Sequence, residues 1–322
     1  SKSKFILIYF YDLFQGKDLL KKYSLEQINT LIQAPNFVNN INVILKTPFY
    51  KPNEKLNSEF ILPVILKIEN HDKSAILVSI LYANNETGNI QPLNEIAELV
   101  HKNGSFIFSD TTQALGKVDL TEVLQQVDYA CFSGHKVYGP KGIGLVFIRD
   151  NENGDSLPSF IQGGGQQKRQ RGGTINTPLI VGLAKAVALA LVNLKEDYQR
   201  LETLRDQLES GLLKIELAVS NSTAPKRLPN TVHVSFPYVD GANLLTALSK
   251  HIAISNGSAC NSASVEPSHV LTAMGIEKSL AYASLRLSIG RYTSENDIEK
   301  AVAIITEEVL KQRETNILWE RR

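Results

Sequence analysis

Ala75-Ile76-Leu77-Val78-Ser79-Ile80-Leu81-Tyr82 is a continuous apolar run of strand length, and Asn84-Asn85-Glu86-Thr87-Gly88 follows it as a polar turn. A short apolar run bounded by turn residues reads as a buried strand. Next, Leu93 to Asn103 carries Ile96, Leu99 and Val100 on one helical face, with Gly104 where a C-terminal cap belongs. Residues 105–109 form the following strand, which ends at Asp110. Residues 129–132 and 145–148 supply two more, with glycine-rich loops between them. Short apolar runs alternating with amphipathic stretches specify a layered α/β domain. In such sheets the ligand crevice lies outside the carboxyl ends of the strands, where Asn84, Asn85, Asp110 and Ser133 all fall.

Beyond this region, residues 177–217 are helical by their spacing, with Ile180, Leu183, Val187, Leu191, Leu194, Leu201, Leu204 and Leu208 in period. A change of domain is expected inside that stretch. Residues 230–236 alternate as a strand and residues 241–250 form a helix. Residues 295–313 form a closing helix with Ser294 as its N-cap. The first 74 residues carry apolar runs but no nameable motif.

A chain of 322 residues suits two packed units. With 34 basic and 33 acidic residues its formal charge is +1, which gives no field for steering nucleic acid. The two cysteines, Cys131 and Cys260, make no disulfide framework, so a reducing compartment is expected, the cytoplasm or, in a eukaryote, the mitochondrial matrix. The run Phe5-Ile6-Leu7-Ile8-Tyr9-Phe10 faintly resembles a signal peptide. Asp12 interrupts it and no small-residue cleavage site follows, so a strand is the expectation there. No apolar run approaches membrane-spanning length, and no membrane partner is expected. Cysteine and histidine never fall at metal-ligand spacing, so no protein-only metal site is expected either. His71, His101, His233 and His251 lack a partner pattern and are read as structural or solvent residues, while the role of His269 stays open.

The chemistry-bearing stretch is Ser133-Gly134-His135-Lys136, followed by Tyr138-Gly139-Pro140-Lys141-Gly142-Ile143-Gly144. A lysine just past a strand end, flanked by hydroxyl, imidazole and glycines, suits an aldehyde cofactor that bears a phosphate. The plainer reading is a surface-loop lysine. Asp110 lies 26 residues earlier, at the previous strand's end. A carboxylate beside a pyridine nitrogen keeps it protonated and makes the ring an electron sink, whereas a helix N-cap is the plainer role for such an aspartate. Cys260 sits among small residues, Gly257-Ser258-Ala259 and Asn261-Ser262-Ala263-Ser264, which suits an exposed nucleophile. Cys131, between Tyr129-Ala130 and Phe132, is expected in the core.

Together these segments resemble the successive motifs of cysteine desulfurases, dense from about Ala75 to Arg291. The resemblance extends through Gly163-Gly164-Gly165-Gln166, Arg171-Gly172-Gly173-Thr174, Arg227-Leu228-Pro229-Asn230-Thr231 and Ser255-Asn256-Gly257-Ser258-Ala259-Cys260. It implies a pyridoxal 5'-phosphate enzyme of transferase fold type I, with a large α/β/α sheet domain and a smaller C-terminal α+β domain. Residues 1–192 would be the large cofactor-binding domain and residues 193–322 the small domain with the Cys260 loop. It also implies a homodimer with sites at the subunit interface.

By the same resemblance, Lys136 would carry the cofactor and act as base at the substrate Cα. Asp110 would face the pyridine nitrogen and Gln113 the phenolic oxygen. Asn85 would lie near that oxygen and the substrate carboxylate. Ser133 and His135 would bind the phosphate, and Thr174 the partner subunit's phosphate. Arg286, in Ser284-Leu285-Arg286-Leu287-Ser288, would clamp the substrate carboxylate by a bidentate pair. The implied reaction turns L-cysteine into L-alanine and leaves a persulfide on Cys260. That sulfur would pass to an acceptor or scaffold protein for iron–sulfur cluster assembly or tRNA thiolation.

A selenocysteine lyase would use the same frame. The family also carries a glycine-alanine-threonine turn and a ring-stacking histidine upstream of Asn85. Here no histidine precedes His71, and Gly16 is the only glycine before Gly88. Ungapped register from Asn85 puts Ala34, in Gln33-Ala34-Pro35, at the stacking position. A shortened chain, a remodelled N-terminal segment and a non-catalytic subunit that dimerises with an intact relative are the three readings of that departure.

Overall fold

The computed structural model describes residues 77–149, 161–222, 224–254 and 267–320. The N-terminal strand expectation, Ala34, His71 and the Cys260 segment lie outside the described residues.

Strand β1 (Leu77–Leu81) is followed by helix α1 (Leu93–Lys102), β2 (Phe106–Asp110), α2 (Thr121–Gln126), β3 (Tyr129–Ser133) and β4 (Gly144–Ile148). The four strands lie in the order β1-β2-β3-β4, the first three parallel and β4 antiparallel at the edge. Alternation along each strand sends Val78, Ile80, Ile107, Ala130 and Phe132 to one face. There they pack beneath Leu93, Ile96, Ala97 and Val100 of α1 and Val123 of α2. Each such fully buried aliphatic side chain contributes about 1.5–3 kcal/mol. Asn103 caps α1 and Gly104 turns away at φ +68. His101 at the end of α1 pairs with Asp128 at 2.9 Å, and the same carboxylate oxygen accepts from the Ile107 amide. That histidine is structural.

The long helical stretch is two helices, α3 (Thr177–Val192) and α4 (Leu194–Leu212), bent by 72° at Asn193. Asn176 caps α3 by accepting from the Leu179 amide. α3 is apolar on nearly every side, and Val181, Leu191 and Val192 are exposed on it. Among the described residues no single helix is long and apolar enough to cross a membrane.

A second, antiparallel sheet has the order β5-β6-β7, from Val219–Ser220, Thr231–Ser235 and Ser284–Ser288. α5 (Gly241–Leu248), the short α6 (His269–Ala273) and α7 (Lys278–Tyr282) precede β7; α8 (Glu295–Glu314) and α9 (Ile317–Glu320) follow it. Its core joins Leu201, Leu204, Leu208 and Leu212 of α4 to Val232, Val234, Leu285, Leu287, Ile298, Ile305 and Val309. The expected cap of α8 is a full capping box, with Ser294 Oγ accepting from the Asp297 amide and Asp297 accepting from the Ser294 amide.

Candidate active site

Three strand ends build the site. Asp110 closes β2, Ser133 closes β3, and the 84–88 turn follows β1. In register, Asp110 stands beside Cys131, both on the sheet face that α1 and α2 leave uncovered. Asp110 Oδ1 accepts from the Thr112 amide at 2.9 Å. Cys131 is half-buried rather than in the core, because strand alternation turns it toward Asp110. Burial first, then the Asp110 charge and the thiol's hydrogen bond to it, push the Cys131 thiol up to about 12. A thiol held that firmly protonated is a donor to Asp110 and no nucleophile.

Lys136 lies in a single 3-10 turn, Gly134–Val137, directly after β3. Gly134 is required there, since a Cβ would stand 2.9 Å from the Ile143 carbonyl oxygen. Ser133 Oγ and His135 Nδ1 are hydrogen-bonded at 2.8 Å. Partial removal from water, then the charges of Lys136 and Lys141, lower the His135 pKa, so the ring stays neutral near pH 7. Lys136 and His135 are both exposed. Tyr138 ends the turn in the left-handed region at φ 63. Its hydroxyl accepts from the Arg291 amide at 2.8 Å, and the Arg291 guanidinium stacks 5.1 Å from the ring. Arg291 in turn pairs with Asp197 of α4 at 2.8 Å, so the turn bearing Lys136 is braced against the second unit.

Lys117 is a neighbour that sequence reasoning missed. Its amine donates to the Gln113 carbonyl at 2.9 Å, and burial followed by the Lys136 charge lowers its pKa to about 8. Nothing in Gln113-Ala114-Leu115-Gly116-Lys117 signals that role, because the pairing with Lys136 depends on the turn between β3 and β4.

The 84–88 turn is shaped by Asn84, whose Oδ1 accepts from the amides of Glu86 and Thr87. Gly88 closes it at φ +73, and a Cβ there would lie 2.9 Å from Thr231 Cβ. Asn85 is half-buried, and its carbonyl accepts from Arg286 Nη1 at 3.1 Å. The two residues expected to meet the substrate carboxylate are therefore adjacent, although 201 positions apart. The 227–231 motif straps this turn to β6: Leu228 N donates to the Gly88 carbonyl, while Arg227 is tied to Glu209 at 2.9 Å. Thr174 is exposed in the loop before α3. Cys260 falls outside the described residues, between Ile254 and Pro267.

The chain is similar to known proteins over most of its length. A profile of the class-V aminotransferases matches residues 65–301. The cysteine desulfurase IscS of Shewanella baltica is 43% identical over 245 residues, covering 76% of this chain and 60% of that one. Its counterpart in Ehrlichia chaffeensis is 40% identical over 257 residues, covering 80% and 62%. Among solved structures, a NifS-like protein from Rickettsia africae superposes with a TM-score of 0.70 at 29% identity, over 90% of this chain and 74% of that one. SspA in complex with cysteine gives 0.56 at 33% identity, over 70% and 62%. The chain belongs to the class-V aminotransferase family, on its cysteine desulfurase branch. It spans about 60% of the length of the curated relatives it matches.

Enzymes of this branch depend on pyridoxal phosphate, with the fold-type-I sheet expected from the sequence. The donor set here fits that group in kind. It holds an amine just past β3, a carboxylate at the end of the central parallel strand, and a hydroxyl–imidazole pair between them in chain order.

Proposed function

We propose that the chain is a cysteine desulfurase that takes sulfur from L-cysteine onto Cys260. The observation that carries the reading is the convergence of Lys136, Asp110 and the Asn85–Arg286 pair at the carboxyl ends of β1, β2 and β3. Bound pyridoxal phosphate would supply an electron sink for the substrate's carbon skeleton. Lys136 would hold it and move the proton at the substrate Cα. Asp110, steadied by Thr112 N and by the Cys131 thiol, would keep the ring nitrogen protonated. Ser133 and His135 would hold the phosphate, with Thr174 contributed by a partner subunit. Gln113 would face the phenolic oxygen. Asn85 and Arg286 would orient the substrate carboxylate.

The net chemistry balances without an oxidant. The Cys260 thiolate attacks the substrate sulfur and the S–S bond forms as Cβ–S breaks. The carbon keeps the electron pair and takes a proton, giving L-alanine and an enzyme persulfide. By this reading residues 1–192 and 193–322 are the two domains, and the chain works as a homodimer. Exposed Val181, Leu191 and Val192 on α3 supply the apolar surface such a dimer needs. The persulfide would be passed on to a sulfur-acceptor or iron–sulfur scaffold protein. Loading the protein with pyridoxal phosphate and adding L-cysteine should release L-alanine, and borohydride should fix the cofactor to Lys136. Recovery of the cofactor on no residue, or on a lysine other than Lys136, overturns the assignment. A large rate preference for selenocysteine would move the substrate from sulfur to selenium.

A further inference from the structure

Tyr138 stands two residues past Lys136 with its backbone in the left-handed region, at φ 63 and ψ 17. That conformation is unfavourable for a bulky L-residue and persists only where neighbours hold it. Burial does not hold it, since Tyr138 is 58% exposed. What holds it is the turn that follows β7. There Thr293 N donates to the Gly290 carbonyl, and Gly290 N donates to Thr293 Oγ1. The Arg200 guanidinium of α4 donates to the carbonyls of Gly290, Arg291 and Thr293. The Arg291 amide is therefore a fixed donor, and the Tyr138 hydroxyl accepts from it across 153 positions. Gly290 leaves room for that approach, because a Cβ there would crowd the hydroxyl oxygen at 3.1 Å. Between Lys136 and Tyr138, Val137 is buried with Leu183 and Ala190 of α3. Val137 and Tyr138 thus anchor the turn to two different elements, while Lys136 itself is exposed.

We propose that Tyr138 is a positioning residue for Lys136, its bond to the Arg291 amide and its ring beneath the Arg291 guanidinium fixing the orientation in which the turn holds the Lys136 amine. The inference deepens the desulfurase reading and rests on it. One anchor fixes where a short turn lies but leaves it free to rotate, and a second on another element removes that freedom. The amine that moves a proton at the substrate Cα needs the constraint, because misplacement by about 1 Å costs such a step roughly 100-fold in rate. Asp197 extends the support, its carboxylate accepting from Arg291 Nε and Nη2 at 3.0 and 2.8 Å. Tyr138 has no part in the substrate clamp, which is assigned to Asn85 and Arg286.

The test uses Tyr138→Gly, because glycine adopts the left-handed backbone freely while deleting both contacts, and so separates the contacts from the strain. In the cofactor-loaded variant, kcat for alanine release should fall at least about 10-fold, while KM for cysteine stays within about 3-fold. In the cofactor-free protein, amide exchange at Gly139, whose N–H closes the turn on the Gly134 carbonyl at 2.9 Å, should quicken, while exchange inside α1 stays unchanged. Tyr138→Phe keeps the ring and loses only the hydroxyl, so its kcat should fall between the two. Asp197→Asn should lower kcat by a smaller factor, and adding it to Tyr138→Gly should cost little further, because both act through one contact. A kcat for Tyr138→Gly equal to that of the unsubstituted protein overturns the positioning role alone, as does unchanged exchange at Gly139 or a double variant whose losses multiply. If borohydride fixes no cofactor to Lys136 in the unsubstituted protein, the desulfurase reading fails and the positioning role with it.

Discussion

His233 makes the small sheet sensitive to acid in a way that can be calculated. It is 0% exposed, at the centre of β6, in register with Arg286 on β7. Its Nδ1 lies 2.9 Å from Asn221 Nδ2, which also donates to Ser235 Oγ, so the imidazole accepts there and carries its proton on Nε2. Nε2 has no hydrogen-bond partner among the described residues. Burial first, and then the Arg286 charge, lower its pKa from 6.5 to about 3. The unfolded chain takes up a proton as pH falls through 6.5, while the folded chain resists until about 3. Stability linked to His233 is therefore complete above pH 6.5 and lost as pH falls toward 3, by at most roughly 5 kcal/mol.

By about pH 4.5 the loss should reach roughly 3 kcal/mol. His233→Leu removes the titration and one hydrogen bond, so it should cost about 1 kcal/mol at neutral pH. Denaturant unfolding of both proteins at about pH 7 and pH 4.5 gives the comparison, and the variant should lose about 2–3 kcal/mol less on acidification. Parallel losses in the two proteins would refute the reasoning. An imidazolium at His233 would set a second cation against Arg286.

Other outcomes follow from the site. Lys117 falls from 10.5 to about 8, so it costs stability increasingly as pH drops from 10.5 to 8 and fully below. Lys117→Met should therefore stabilise the protein by about 1–2 kcal/mol at neutral pH, and the gain should shrink by about pH 10; thermal melts at both values check this. Lys136→Ala should abolish turnover on every substrate, assayed as alanine release. Mixing Lys136→Ala chains with Thr174→Ala chains should rebuild one complete site per mixed dimer and recover cofactor affinity. No gain over Thr174→Ala alone, or a monomer by sizing, would contradict shared sites.

Short apolar runs bounded by turn residues made β1 to β4 legible to within two residues, and Ser294 made the start of α8 legible. A change of domain was expected inside residues 177–217, with 193 as the first residue of the second unit, but the helical spacing itself shows no bend at Asn193. Apolar residues recur at helical spacing on both sides of it, and the bend is set by what each half packs on: α3 on the Lys136 turn, α4 on β6 and α8. Two-residue β5 lies below the length at which a period can be read. What was legible in the candidate site is placement: Asp110 and Ser133 end β2 and β3, and His135 and Lys136 lie just past β3. Cys131 was misplaced because its flanks are apolar, whereas its own face is decided by the register with Asp110. Lys117 and the Tyr138–Arg291 bond depend on tertiary contacts alone.

Mapping where the sulfur goes tests whether Cys260 receives it. Protein loaded with pyridoxal phosphate is mixed with L-cysteine, quenched with an alkylating reagent and mapped by peptide mass spectrometry. One added sulfur atom is expected on the Cys260 peptide and none on the Cys131 peptide, with L-alanine in equal amount. In Cys260→Ser the cofactor's absorption should persist while the added sulfur disappears. Alanine release at the parent rate from Cys260→Ser, or sulfur recovered on Cys131, would contradict it.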